Sequence, residues 1–439
     1  MNAVSKKMTA IILVAIIAVA GLGAWMMLGD DGGSETELDA SLPVYGNADE
    51  DYKIDKNDLD IVKKVVNGES GYDIDTYPLS DTDYNGKVDD ADIALLNKIL
   101  NKENCTVHHG MNDGNDGWMI VDTKWPIKKA ATSANLQLLM IEKMAGIIDD
   151  HIVAVAFSPE YGIDPYLYPT LQGMSSLGPS QSSFDVDLVS QCKSDKGITA
   201  LFASSNLKNL PEIEKMGIDV IRMGQMSADV SRFVSQILLM GFLFDETNQA
   251  VEIGAWSEDL LDEINGKLAT LKDNELVSAG MNVGQTGTLS YKGSEYVKVL
   301  LQAGAVYPDE LDTSSTPAIG DWIYSMDMDK IVCMRNSTDG YSWYGGNPDF
   351  QRYFEAVYNT LKLTDAYQAG EVYAIGLDMP LPIRIAYLSQ ALYPELHGEG
   401  WADSKHQEFI DKFFDGTFDV DSIDFLLEYK DYKDKLDFE

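Results

Sequence analysis

The residues 246–271 form one amphipathic run, with Ile253, Trp256, Leu260, Ile264, Leu268 and Leu271 three or four positions apart. That spacing predicts a single helix of about seven turns with a continuous apolar face. On both sides of it, short apolar runs alternate with amphipathic stretches, the pattern of a parallel α/β sheet. Strands are expected at 129–132, 152–157, 198–203 and 219–223 before the helix, and at 276–281, 330–334 and 372–375 after it. The fold class is therefore α/β: two parallel-sheet lobes (125–245 and 272–439) joined by one rigid helix (246–271), a clamp with a ligand in its cleft.

A different pattern precedes this domain. Asn47, Asp49, Asp51, Lys53, Asp55 and Asp58 recur 34 residues later as Asp81, Asp83, Asn85, Lys87, Asp89 and Asp92. Oxygen side chains at positions 1, 3, 5, 9 and 12, with an aliphatic residue at 8, have the spacing of an EF-hand-type calcium loop. Lys53 and Lys87 occupy position 7, where the backbone carbonyl is the ligand. A helical apolar pattern follows each loop. Position 12 is Asp, and no helical pattern leads into either loop. Those features resemble a type I dockerin over residues 43–103, which implies a small all-α domain, two Ca2+ ions and a cohesin-like partner. The first loop departs at position 6, where Tyr52 replaces Gly.

Residues 8–28 (MTAIILVAIIAVAGLGAWMML) carry no charge. At about 1.5 Å per residue they span the roughly 30 Å of a bilayer's hydrocarbon. Lys6 and Lys7 precede the run and Asp30 and Asp31 follow it, which leaves the N-terminus cytoplasmic and the bulk of the chain extracytoplasmic. A cell-membrane single-pass anchor is the first reading and a cleaved signal peptide the second. Residues 29–43 then read as an acidic, Gly-rich linker, and 104–124 as a Gly/Asn/Asp-rich connecting loop. With 33 basic and 71 acidic residues, net −38, the surface repels phosphate backbones, so nucleic acid is not expected as a partner. Cys105, Cys192 and Cys333 are too few for a disulfide framework.

Within the large domain, "IKKAATSANLQLLMIEKMAGIIDDHIVAVAFSPE", "ITALFASSNLKNLPEIEKMGIDVI" and "EVYAIGLDMPLPIRIAYLSQALYPEL…HQEFIDKFF" occur in this order. Their order and spacing resemble the helical-backbone substrate-binding proteins of ABC importers for iron chelates, haem and cobalamin. The resemblance covers about 125–414. It implies capture of an iron(III)-siderophore-type chelate, haem or cobalamin and delivery to an ABC permease, without catalysis.

A clamp of this type contacts ligand from the loops at strand C-termini. In the first lobe those loops hold Ser133, Asn135, Tyr161, Tyr166, Tyr168, Ser204, Ser205 and Asn206. In the second they hold Thr286, Ser290, Tyr291, Arg335, Tyr341, Trp343, Tyr344, Asp378 and Arg384. Aromatic rings supply flat walls for a large chelate, and arginine neutralises an anionic one. The resemblance further implies one acidic residue per lobe that docks onto the permease, here Asp187 and Asp321. The rival class is a dockerin-bearing carbohydrate-active hydrolase or a calcium-dependent surface assembly protein. No Gly-x-Ser-x-Gly, His-Glu-x-x-His or Gly-x-x-x-x-Gly-Lys motif is present, and a glycosidase barrel would need about eight βα units around one core.

Overall fold

The computed structural model describes residues 38–112, 118–157, Ile163, Pro165, 167–179, 183–204, 207–224, 228–283, 287–318, 320–335, 350–376 and 379–437. The described chain forms two compact units, 37–258 and 259–439.

In the first unit, α1 (Lys56–Val66) and α2 (Asp90–Leu100) each begin at an aspartate, Asp55 and Asp89, whose side chain accepts backbone N–H groups. In each capping box the residue three positions on, Asp58 or Asp92, answers back to the cap's own N–H. Val62, Leu96 and Ala48 close a small core between these helices. The hairpin of β1 (Cys105–Asn112) and β2 (Trp118–Trp125) follows, antiparallel, with Cys105 opposite Trp125 and Met111 opposite Met119. The expected loop at 104–124 is thus corrected to a hairpin. Its strand signal is the alternation of buried Val107, His109 and Met111, masked because one inward position is a histidine. His109 tolerates burial because Nε2 lies 2.8 Å from Thr123 Oγ1 and Nδ1 3.1 Å from Gly110 O. Burial lowers its pKa to about 4, so it is neutral.

The linker expected at 29–43 is also corrected over its described part. Leu38, Ala40, Leu42 and Val44 are buried at alternate positions, as in an extended strand packed on one face.

Next come β3 (Ala130–Ser133), α3 (Leu136–Met144), β4 (Ile152–Ala156), α4 (Val186–Lys196), β5 (Ala200–Ala203), α5 (Leu210–Lys215) and β6 (Asp219–Arg222). These strands form one parallel sheet in the order β4-β3-β5-β6. On one face Ala131, Ala154, Leu201 and Val220 meet Val189 and Ile213 of α4 and α5. Further along, α6 (Val230–Phe244) is buried along most of its length, and Trp125 of β2 stacks on Phe242 while its Nε1 donates to Phe242 O at 2.7 Å. The long helix α7 spans Asn248–Leu268, with Ile253, Trp256, Leu260, Ile264 and Leu268 buried as the periodicity requires. Leu271 falls beyond its end.

The second unit contains β7 (Ala279–Val283), α8 (Glu295–Gln302), β8 (Lys330–Arg335), α9 (Phe350–Leu361), β9 (Val372–Gly376), α10 (Leu381–Leu392), α11 (Trp401–Phe413) and β10 (Leu426–Glu428). Its sheet order is β10-β9-β8-β7, parallel except for β10, which runs antiparallel to β9. Strand β10 was not expected; three residues are too short for a period-two pattern to register. Among the described residues no helix is long and apolar enough to cross a membrane. The apolar run 8–28 lies outside them.

Glu142 of α3 is fully buried, and burial pushes its carboxyl up to about 8 against the opposing effect of Thr132. The folded value lies above the ordinary 4.5, so the folded protein holds this proton more tightly. Its contribution is intact below about pH 4.5 and is lost as pH rises through about 8. Glu142→Gln should therefore flatten the fall in stability between about pH 5 and about pH 9, read as urea midpoints. Equal pH slopes in both proteins would contradict this.

Candidate functional site

In the second acidic loop, carboxylate oxygens of Asp81, Asp83 and Asp92 all lie within 4.8 Å of one another. Backbone donors hold them there. Asn85 N and Gly86 N reach the two oxygens of Asp81 at 3.0 and 2.8 Å, and Asp83 N and Asp89 N reach those of Asp92 at 3.1 and 2.7 Å. Asn85 accepts from Lys87 N at 3.0 Å, and Asp89 caps α2. Gly86 has φ +87°, a conformation that glycine adopts without strain. Asp83 Oδ1 is buried with no protein hydrogen-bond partner. Three converging carboxylates with an unmatched buried oxygen suit a hard divalent cation.

The first loop repeats the frame and loosens it. Asp49 N and Asp55 N donate to the two oxygens of Asp58 at 3.3 and 2.7 Å, as their counterparts do in the second loop. Its first position differs. Asn47 is fully buried, its Nδ2 donates to Leu42 O and Asp51 O at 2.9 and 2.7 Å, and its Oδ1 has no partner. Lys53 Nζ stands 3.2 Å from Asp55, putting a side-chain cation at position 9. Tyr52 does not take the left-handed turn that Gly86 makes. Among the described residues, the three-carboxylate cluster forms in the second loop and not in the first. Burial, with Asp49 as a like-charged neighbour, still raises Asp51 to about 6 and Asp58 to about 7.

The sheets fix where the other candidates sit. Ser133 ends β3 and is buried, with its Oγ unpartnered. Asn135 caps α3, accepting from Gln137 N and Leu138 N at 3.1 Å, so its oxygen has a structural task. Ser204 follows β5, half-buried. Tyr168 is buried, which makes it packing rather than a wall. In the second unit Ser290 is buried and its carbonyl accepts the Tyr307 hydroxyl at 2.7 Å, while Tyr291 is half-buried. Arg384 is buried in the first turn of α10, near enough to Tyr296 to oppose the rise that burial causes in that phenol. Tyr161, Tyr166, Ser205, Asn206, Thr286, Tyr341, Trp343, Tyr344 and Asp378 lie outside the described residues, as does the side chain of Arg335. Asp187, in the first turn of α4, and Asp321, opening a short 3-10 turn, are both exposed.

Sequence reasoning passed over Arg222, the last residue of β6 and a buried one. Its N–H donates to Met111 Sδ at 3.4 Å and its Nη2 to Met119 Sδ at 3.0 Å, so the hairpin reaches the C-terminal edge of the first sheet. The Met111–Met119 pairing was the available signal, but it requires the hairpin to be seen first. His406 is buried against Tyr387, lowered to about 3, and His397 lies tilted against Trp401 with ring centroids 4.2 Å apart, lowered by burial to about 4.

No family model matches the chain, and no curated protein does. Solved structures do. The TroA-like periplasmic binding protein FepB of Veillonella parvula is 15% identical, with 69% of this chain and 95% of that one covered at a TM-score of 0.51. A periplasmic solute binding protein of Veillonella parvula is 16% identical, with 70% and 93% covered at 0.50. Helicobacter pylori CeuE, solved as a nickel–histidine complex, is 13% identical, with 75% and 99% covered at 0.51. The two Veillonella proteins are periplasmic binding proteins. At these identities the likeness establishes the fold: mixed α/β units with parallel sheets, as in periplasmic binding proteins.

Proposed function

We propose that this chain is an extracytoplasmic substrate-binding protein that captures a metal chelate and delivers it to an ABC permease. The observation that carries the reading is the pair of mainly parallel sheets, one in each unit, in the architecture of solved periplasmic binding proteins. Helicobacter pylori CeuE was solved with a nickel–histidine complex, which favours a chelated metal as cargo. Within that class, an iron(III)-siderophore-type complex, haem or cobalamin suits the Tyr/Trp-rich sequence 341–344 and Arg335. The segment 8–28 serves as the tether and holds the protein at the membrane face where its permease works. Asp187 and Asp321, both exposed, are the docking carboxylates. Two four-stranded sheets in separate units disfavour the glycosidase reading, which calls for one closed barrel.

The segment 43–103 binds Ca2+ in both loops, the second more tightly. Support comes from the closer carboxylates there and from Lys53, which competes in the first. A cohesin-like domain remains the proposed partner for this module.

Calorimetric titration of the whole chain with calcium should resolve two sites. Asp81→Ala combined with Asp92→Ala should abolish the stronger, and two intact sites in that double variant would contradict the loop assignment. For the cargo, haemin, cyanocobalamin and a ferric siderophore should be titrated while tryptophan fluorescence is followed. Arg335→Ala should weaken an anionic chelate by about 1–3 kcal/mol, which is the loss expected for a charge-assisted hydrogen bond in a desolvated site. Failure of all three to bind, together with hydrolysis of a sugar polymer, would favour the enzyme.

A further inference from the structure

The acidic module is bonded into the first sheet's unit at every step of a continuous path. Leu38 packs over Gly254 of α7, where an added Cβ would lie 3.0 Å from Leu38 Cδ1. Asp39 N donates to the Glu258 carboxylate at 3.0 Å, and Ser231 Oγ of α6 donates to Asp39 O at 3.2 Å. Leu42 N donates to Asp51 O at 2.9 Å and Leu42 O accepts from Asn47 Nδ2, so the first calcium loop grips this strap. Gly46 N donates to Leu79 O at 2.6 Å, two residues before Asp81, so the turn that leads into the second loop grips it as well.

The strap then grips the hairpin. Val44 bridges His109, Tyr45 N donates to His108 O at 2.8 Å, and Gly110 N donates to Pro43 O at 3.0 Å. One residue beyond Gly110, Met111 Sδ accepts the Arg222 N–H at the C-terminal end of β6.

We propose that calcium acts as a brace for the ligand-facing edge of the first unit, transmitted from both loops through the 42–46 strap to hairpin β1–β2 and the end of β6. This rests on the calcium reading above. Without a cation, the carboxylates crowded in each loop repel one another. As the loops open, Asn47 and Leu79 release the strap, and the hairpin loses the partners of His108 and Gly110. Gly46 is the point at which the path can be cut without touching a calcium ligand. Its φ of +105° and the approach of Thr82 Cγ2 to 3.1 Å of an added Cβ leave little room for a side chain.

Hydrogen exchange of the whole chain, with calcium and after chelation, tests the brace. Chelation should speed exchange of the Tyr45 and Gly110 amides and of both hairpin strands by about tenfold or more. It should leave β7, β8 and β9 unchanged. Gly46→Val with calcium bound should reproduce the hairpin's loss while calorimetry still detects the second-loop site. Loss of protection confined to 47–103, with the hairpin unaffected in the unmodified chain, would overturn the proposal. No calcium uptake at all would overturn the calcium reading and the brace together, and calorimetry separates that failure from the first.

Discussion

Parallel pairing is the constraint on which the remaining architecture depends. A strand cannot return beside its parallel neighbour without a crossover, and here helices supply most of the crossovers. All parallel strand ends of one sheet then emerge along one edge, together with the N-termini of the helices that follow. In the first unit that edge carries Ser133, Ser204 and Arg222 at the ends of three strands. The edge is polar while the faces are Ala, Val, Leu and Ile. A binding site needs only side chains at these ends, and the sheet beneath them can be optimised for packing alone.

The acidic module alters this plan. It does not hang from a flexible connector. The strap, the two acidic loops and the hairpin share the first unit with the sheet, and buried Val44, Val107, Met111 and Trp125 lie along the path between them. Crowded carboxylates are costly to hold without a counter-charge, and burial together with like-charged neighbours raises Asp51 and Asp58. On the proposed calcium reading, coupling the loops to a neighbouring sheet edge makes the stability of one depend on the ion content of the other.

The sequence made some of this legible and hid the rest for physical reasons. Strands of four to six residues between helices stood out because their cores are continuous Ala/Val/Ile runs, and the α7 face was readable to within three residues at either end. The repeat of the two acidic loops was readable from its fixed spacing, and the structure gathers Asp81, Asp83 and Asp92 in the second. The hairpin was not, because Gly-Asn-Asp composition suggested a loop and a buried histidine broke the apolar alternation. The strap was misread because acidic residues separate Leu38, Ala40 and Leu42 from a Gly-rich start. Asn135 illustrates a further limit: a polar residue after a strand can serve a ligand or a helix cap, and only the bonds to Gln137 and Leu138 reveal the cap.

The central claim is that one chain carries a metal chelate as cargo and calcium as a structural ion. Native mass spectrometry of the protein purified from its source reads both at once. The account predicts a population retaining one chelate of an iron- or cobalt-group metal together with two calcium ions, the cargo lost on mild activation before the second-loop calcium. A protein that retains neither calcium nor a metal complex, or that retains an oligosaccharide in the cargo's place, would contradict it.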